Sequence, residues 1–524
     1  MLDLIIKNGV VIDGTGKNMF RNDIGIVGDR IKKMGNLEKE EAKKVIDAEG
    51  YYVTPGFIDV NNHSDTYWRI FINPDLESLL YQGVTTIVGG NCGSSLAPIL
   101  NEDMFRSIQK WIDISSLNLN WLTVKDFFNE ISKIKLATNF ATLVGHATLR
   151  RGIKGDNRGE LTEGEMNVML KILRKALKEG ALGVSFGLVY THAQLASQWE
   201  LFEVAKVVAK EKKILAVHIR EESERILSSI QEVLDIASNT GVNLQISHLK
   251  IMGEDNWKMM DEVLQMIAEA YRKGIKVAFD MYPYTMTGSV LYALLPKWVA
   301  EGGRKMMLKR LRDPFMRSRV VREMMNNSID YSNIIISISP LNKSLTKRKV
   351  SEIADAQRKS VEEAIIDILL ASNGRVITMM NVLSENNIQK ELVCPLSIIS
   401  SNGAGYNEKH KSSGELVHPR SFGTFPRILN KYVRNQELLT WEEAVFKMSG
   451  FPAKKYDIHQ RGTLKKNNFA DIVIWDPNRI EDLAMPNDPY HYSKGVEYLL
   501  VNGKIVIAKR KYLSRREGKI ITKT

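Results

Sequence analysis

Short apolar runs that end in polar clusters recur along the chain. The fullest is Val53-Thr-Pro-Gly-Phe-Ile-Asp-Val-Asn61-Asn-His63-Ser-Asp65, a run of strand-forming residues that opens on Asn, His and Asp. Val84-Thr-Thr-Ile-Val-Gly-Gly-Asn-Cys92 runs into a cysteine. Ile214-Leu-Ala-Val-His218 and Asn243-Leu-Gln-Ile-Ser-His248 each run into a histidine, and Leu396-Ser-Ile-Ile-Ser-Ser-Asn402 into an asparagine. Runs without in-out alternation are those of strands buried on both faces, as in a parallel sheet. The pattern predicts strands at 53–60, 84–89, 140–145, 182–186, 214–219, 243–248, 276–281 and 396–401. Apolar spacing of three and four residues predicts helices at 161–179, 197–211, 222–238, 255–273 and 358–372. Eight strands, each followed by a helix-length segment, predict a (β/α)8 barrel.

The ends of the chain read differently. Leu4-Ile-Ile, Asn8-Gly9, Val10-Val-Ile and Asp13-Gly14 are hairpin signals, and Ala470-Asp-Ile-Val-Ile-Trp and Glu497-Tyr-Leu-Leu-Val-Asn502-Gly503 repeat that style. The predicted organisation is a small β-sandwich domain from residues 1–52 and 455–524, clasping a barrel over 53–454. The seventh connection is too long for a simple loop, and is read as an insertion at about 288–395. It holds a basic helical part from Arg304 to Met325 and possible strands near Ile334 and Arg375.

Composition narrows the class of protein. The 524 residues carry a net charge of +12, concentrated in Arg304–Arg322 and Lys504–Lys523. No zinc-finger, helix-turn-helix or RNA-binding motif accompanies it, so a small acidic substrate is a better partner than nucleic acid. Two cysteines, Cys92 and Cys394, make no disulfide framework and suit a reducing compartment. No apolar run reaches the roughly 20 residues of a membrane span, and the N-terminus lacks a basic, cleavable leader. These features predict a cytoplasmic protein.

Polar residues at barrel strand ends converge on one cavity. Cys92, His218 and His248 leave strands 2, 5 and 6, and a thiolate with two imidazoles suits zinc, with a fourth position open. These motifs carry a resemblance. Pro55-Gly-Phe-Ile-Asp59, Gly90-Asn-Cys92-Gly, Leu143-Val-Gly-His146, His218-Ile-Arg220, Gln245-Ile-Ser-His248-Leu-Lys250, Asp280-Met-Tyr282-Pro-Tyr284, His418-Pro-Arg420 and Gly423-Thr-Phe-Pro-Arg427 run in order along the chain. Together they resemble the N-acyl-D-amino-acid deacylase (D-aminoacylase) branch of the amidohydrolase superfamily.

The resemblance implies one zinc ion held by Cys92, His218 and His248, with His63 a possible accessory. It implies that Arg420 grips a substrate carboxylate and that Tyr282 and Ser289 make polar substrate contacts. The implied reaction is cleavage of the amide of an N-acylated D-amino acid or a similar carboxylate-bearing amide. Two positions depart from the family pattern. Asn61 stands where the first His of His-x-His is expected, and Asn402 stands where the strand-8 Asp acts as general base. An amide oxygen has no basicity near neutral pH. His63, Asp65 and Glu221 are nearby in sequence as substitutes. The departures leave open a zinc site turned to non-hydrolytic acyl transfer or cyclisation, or an inactive small-molecule-binding homologue. The rival cyclic-amide hydrolases, dihydroorotases and hydantoinases, are expected to hold a binuclear site bridged by a modified Lys on strand 4, and the absence of Lys from that strand here disfavours them. Here that strand reads Leu182-Gly-Val-Ser185-Phe-Gly.

Overall fold

The computed structural model describes the chain except residues 102–103, 105–119, 156–158, 191–192, 327–330 and 524. Eight parallel strands form the central sheet: β1 (Phe57–Asp59), β2 (Val84–Gly89), β3 (Asn139–Gly145), β4 (Gly183–Gly187), β5 (Ile214–His218), β6 (Asn243–Ile246), β7 (Val277–Met281) and β8 (Ser397–Ile399). They neighbour one another in chain order. The ring is closed from β8 back to β1 by a parallel bridge between Asn62 and Gly403, with the His63 amide donating to the Gly403 carbonyl at 2.7 Å. All residues of β2 to β5 are buried, which is why their sequences show no alternation. Helices α1 (Glu163–Lys178), α2 (Gln198–Lys210), α3 (Ile226–Thr240) and α4 (Met260–Arg272) cover this side of the barrel with their apolar faces. The architecture is the (β/α)8 barrel expected from the pattern.

One predicted strand divides. Residues 53–60 do not run as a unit: Tyr52–Pro55 pairs antiparallel with Ile472–Trp475, while Phe57–Asp59 pairs with β2. The break falls at Gly56, whose amide donates to the Asp471 carbonyl at 2.9 Å. A Cβ at this position would strike the Thr85 side chain of β2. One apolar run thus serves two sheets.

The terminal segments build a four-stranded sheet (Arg30–Gly35, Asp23–Val27, Leu2–Lys7, Ala42–Asp47) and a seven-stranded one centred on Ile472–Trp475. Leu4, Ile6, Ile24 and Ile26 from the first meet Val11, Ile472, Ile474 and Leu500 from the second in one apolar cluster. The long connection after β7 forms a three-stranded antiparallel sheet (Met286–Val290, Ile377–Asn381, Ile335–Ile338). Around this sheet lies a separate core that includes Leu291, Leu311, Ile336, Ile365 and Leu369. Its basic part forms helices at Gly303–Arg312 and Pro314–Met325. Among the described residues no helix is long and apolar enough to cross a membrane.

Candidate metal centre

Cys92, His218 and His248 come together at the carboxyl ends of β2, β5 and β6. Their ligand atoms all lie within 4.8 Å of one another, and all three side chains are buried. The Cys92 sulfur is 3.4 Å from His248 Nε2. Holding them there requires uncommon backbone. Cys92 (φ 53°), His248 (φ 36°) and Asn402 (φ 45°) all sit in the left-handed region, which non-glycine residues occupy only when their surroundings impose it. The Cys92 loop is imposed by Ser185 of β4, whose hydroxyl donates to the Gly90 carbonyl (2.5 Å) and accepts from the Gly93 amide (2.9 Å). Strand 4 therefore contributes a loop clamp. The His248 turn is imposed by Asp280 of β7, which accepts from the His248 amide at 2.9 Å.

The donor set fits zinc. A thiolate and two imidazoles are borderline-soft ligands, and three of them leave a position for substrate. Burial, with Lys250 and His218 adding to it, holds His248 well below the usual imidazole range, so the ring is neutral as a ligand must be.

The cleft above this cluster spans about 890 Å³, part of it open to solvent, and is walled on one side by Thr287, Gly288, Ser289 and Met380 of the three-stranded sheet. Arg420, the first residue of the helix Arg420–Arg427, reaches the same cavity. It is 6% exposed, and its Nε and Nη1 have no hydrogen-bond partner among the described residues. Its guanidinium lies 4.8 Å from the centre of the Tyr282 ring. A buried cation left in this state is a ready receptor for an anion.

The other expected residues scatter. Ser289 lines the cavity. Tyr282 does not: its hydroxyl donates to Thr287 Oγ1 at 3.0 Å, so it supports the wall and the Arg420 side chain from behind. His63 faces the cavity with Nε2 2.8 Å from Asn402 Oδ1. Asn61 points away from the cavity and donates to Asp280 Oδ1 at 3.1 Å. Asp65, expected in the catalytic set, stands apart from the cavity lining. It is buried under the β2 exit and accepts from the Gly90 amide at 2.6 Å. Burial pushes its carboxyl up to about 6, against the Gly90 and Thr66 amides that favour the charged form. Glu221 also faces away, accepting from the Ser223 and Arg225 amides at 2.9 and 2.6 Å.

Sequence reasoning passed over two charged residues of the cavity, Glu222 and Lys250. Lys250 Nζ donates to Glu222 Oε1 at 2.5 Å, and both line the cavity. Burial opposes the charge on Glu222, yet Lys250, His218 and His248 together hold its carboxyl well below the usual range. Their spacing was the available signal: Lys250 lies two residues after His248 and Glu222 four after His218.

The barrel, its terminal β sheets and a Cys-His-His cluster at strand ends define a class, and comparison with known proteins agrees. The profile of the amidohydrolase family matches residues 44–314. The chain belongs to the amidohydrolase family. Within it, the chain is 30% identical over 522 residues to the D-aminoacylase of Alcaligenes xylosoxydans xylosoxydans, covering 100% of this chain and 98% of that protein. It is 32% identical to the N-acyl-D-glutamate deacylase of the same organism, over 99% and 96% of the two chains. Its fold superposes on the crystal structure of N-acyl-D-glutamate deacylase from Bordetella bronchiseptica, complexed with zinc and a phosphonate mimic of the tetrahedral intermediate. That match has a TM-score of 0.84 and 29% identity, and it covers 100% of both chains.

Proposed function

We propose that this chain is a zinc-dependent deacylase of N-acylated D-amino acids, with a single ion on Cys92, His218 and His248. The observation that carries the reading is the buried Arg420 guanidinium, its Nε and Nη1 without a hydrogen bond among the described residues, opening into the same cavity as the ligand cluster. That arrangement recognises a carboxylate at a fixed distance from an amide. When bound, zinc supplies the Lewis acid that polarises the amide carbonyl and acidifies water. The chain's own residues do the rest. Arg420 holds the carboxylate, Ser289 and Thr287 shape the wall, and Met380 excludes water. The preference for the D configuration rests on the named activities of the relatives. Residence in the cytoplasm, where Cys92 and Cys394 stay reduced, belongs to the same proposal.

Among the described residues a second ion has no comparable set of donors. Asn61 is committed to Asp280, and His63 is hydrogen-bonded to Asn402. Asn402 also sets the rate. Its amide cannot take a proton from the attacking water, so turnover is slow relative to a site with a carboxylate there.

Steady-state hydrolysis of N-acetyl-D- and N-acetyl-L-amino acids by the zinc-loaded chain tests this reading, with Arg420→Lys as the variant. A point charge cannot reproduce the guanidinium fork. Loss of roughly 1.5–3 kcal/mol of charged hydrogen bonding predicts a KM raised about 10- to 100-fold for the D substrates at unchanged zinc content. An unchanged KM would remove Arg420 from substrate binding, and absence of any turnover would leave a binding protein.

A further inference from the structure

The Nε and Nη1 atoms of Arg420 have no partner among the described residues, so hydrogen bonds at those atoms do not fix where the guanidinium sits. What is fixed is the backbone that carries it. The first amides of a helix have no partner within it. The Arg420 amide, which opens the helix Arg420–Arg427, finds one in His418 Nδ1 at 3.1 Å. The other nitrogen of that ring, Nε2, lies 2.9 Å from the Met286 carbonyl. A carbonyl only accepts and a backbone amide only donates, so the His418 proton is on Nε2 and the lone pair on Nδ1. Burial, with the Arg420 charge adding to it, holds the ring well below the usual imidazole range, against the Met286 carbonyl that favours the charged form. A second proton would turn an N–H against the Arg420 amide.

We infer that His418 is a positioning residue, a neutral latch that fixes Arg420 against the cavity-wall strand Met286–Val290. The inference rests on the reading of Arg420 as the carboxylate receptor and adds to it a residue that does not itself line the cavity. The connections close on themselves. The latch ties the backbone end of Arg420 to Met286, the first residue of the strand. The far end of the Arg420 side chain returns to the same strand two residues on, where a Cβ on Gly288 would stand 4.0 Å from Nη2. Two aromatic rings flank the imidazole. Tyr282, whose ring also lies 4.8 Å from the guanidinium, meets it at 6.1 Å and 71°. Tyr284 meets it edge to face at 5.5 Å and 87°. The segment before His418 is tied to the same sheet, with the Leu416 amide donating to the Ser337 carbonyl at 2.9 Å. Receptor and wall are thus held as one unit, which keeps the guanidinium at a set distance from Thr287 and Ser289.

The test uses the zinc-loaded full chain as wild type, His418→Phe and His418→Gln. It measures dissociation constants for N-acetyl-D-leucine and for its carboxamide, N-acetyl-D-leucinamide. The carboxamide fills the same space without the charge that Arg420 receives, so the ratio of the two constants reads the receptor and not the stability of the fold. Wild type should favour the acid by about 10- to 100-fold. His418→Phe keeps a buried ring without either hydrogen bond and should cut that preference about 10-fold, through weaker binding of the acid alone. His418→Gln brings an N–H back towards the Met286 carbonyl and should recover part of the preference. A preference retained in full by both variants, or by His418→Gln where His418→Phe does not fold, overturns the inference and leaves Arg420 as the receptor. Equal weakening of acid and carboxamide overturns it too, because that is the mark of a structural role. A wild type that does not favour the acid overturns the reading of Arg420 and the inference with it.

Discussion

At the scale of single residues, the two family departures have different physical consequences. Asn61 is absorbed into the barrel floor, where it and Gln245 donate to Asp280 at 3.1 and 3.0 Å, and Asp280 in turn fixes the His248 backbone. Asn402 stays in the cavity wall with a left-handed backbone and a hydrogen bond to His63. Asn61 is therefore structural here, and Asn402 is the one of the two that faces the cavity. Beneath them Asp59 is fully buried, and burial, with the Asp280 charge adding to it, pushes its carboxyl up to about 6 against donors from Ser401 and Asn62. A carboxyl raised in the folded state adds stability below its unfolded value near 3.9 and loses that contribution as pH rises through about 6. Two units correspond to about 3 kcal/mol. Chemical denaturation at pH 4.5 and pH 7.5 should therefore show a smaller pH-dependent difference for Asp59→Asn than for wild type, whatever the offset between the two proteins. Identical differences would show that Asp59 does not titrate in that window.

At the scale of elements, strand ends were legible because a strand buried on both faces must be apolar throughout, and a polar residue at its exit stands out. That logic located Cys92, His218, His248 and Asn402. It passed over Glu222 because apolar spacing extended the following helix back to residue 222, whereas α3 begins at Ile226 and leaves residues 219–225 as a loop at the barrel mouth. It also passed over Met286–Val290, whose Met-Thr-Gly-Ser-Val has too little apolar content to mark a strand but becomes one by pairing with Ile377–Asn381. The join at Gly56 was hidden inside a continuous run. Its close approach to Thr85 makes a direct prediction. Gly56→Ala forces β1 and β2 apart and should cost about 1–3 kcal/mol, seen as a lowered denaturation midpoint. A midpoint equal to wild type would mean that the junction has room to relax.

At the scale of the whole molecule, the long insertion and the basic tail both serve the barrel. The insertion folds around its own apolar core and lends residues of its sheet to the cavity wall, so the cavity is lined by residues far apart in sequence. The sequence shows the tail only as a concentration of positive charge, and the fold places part of it on specific partners. Arg516 reaches Asp75 through two nitrogens at 2.9 and 2.8 Å, Lys519 reaches Asp29 at 2.7 Å, and Ile520 bridges to Phe140 of β3. These pairings join distant segments, which no local pattern encodes. On the proposed function, this molecule holds a deacylase pocket and a single metal, with an amide where the proton acceptor belongs. The measurement that tests it most directly is zinc content together with kcat and KM on an N-acetyl-D-amino acid, for wild type and Asn402→Asp prepared in parallel. The account predicts equal zinc, a similar KM and a kcat raised by about 10²–10⁴ in Asn402→Asp. A wild-type kcat that Asn402→Asp fails to raise would contradict it, because another group would then already be accepting the proton.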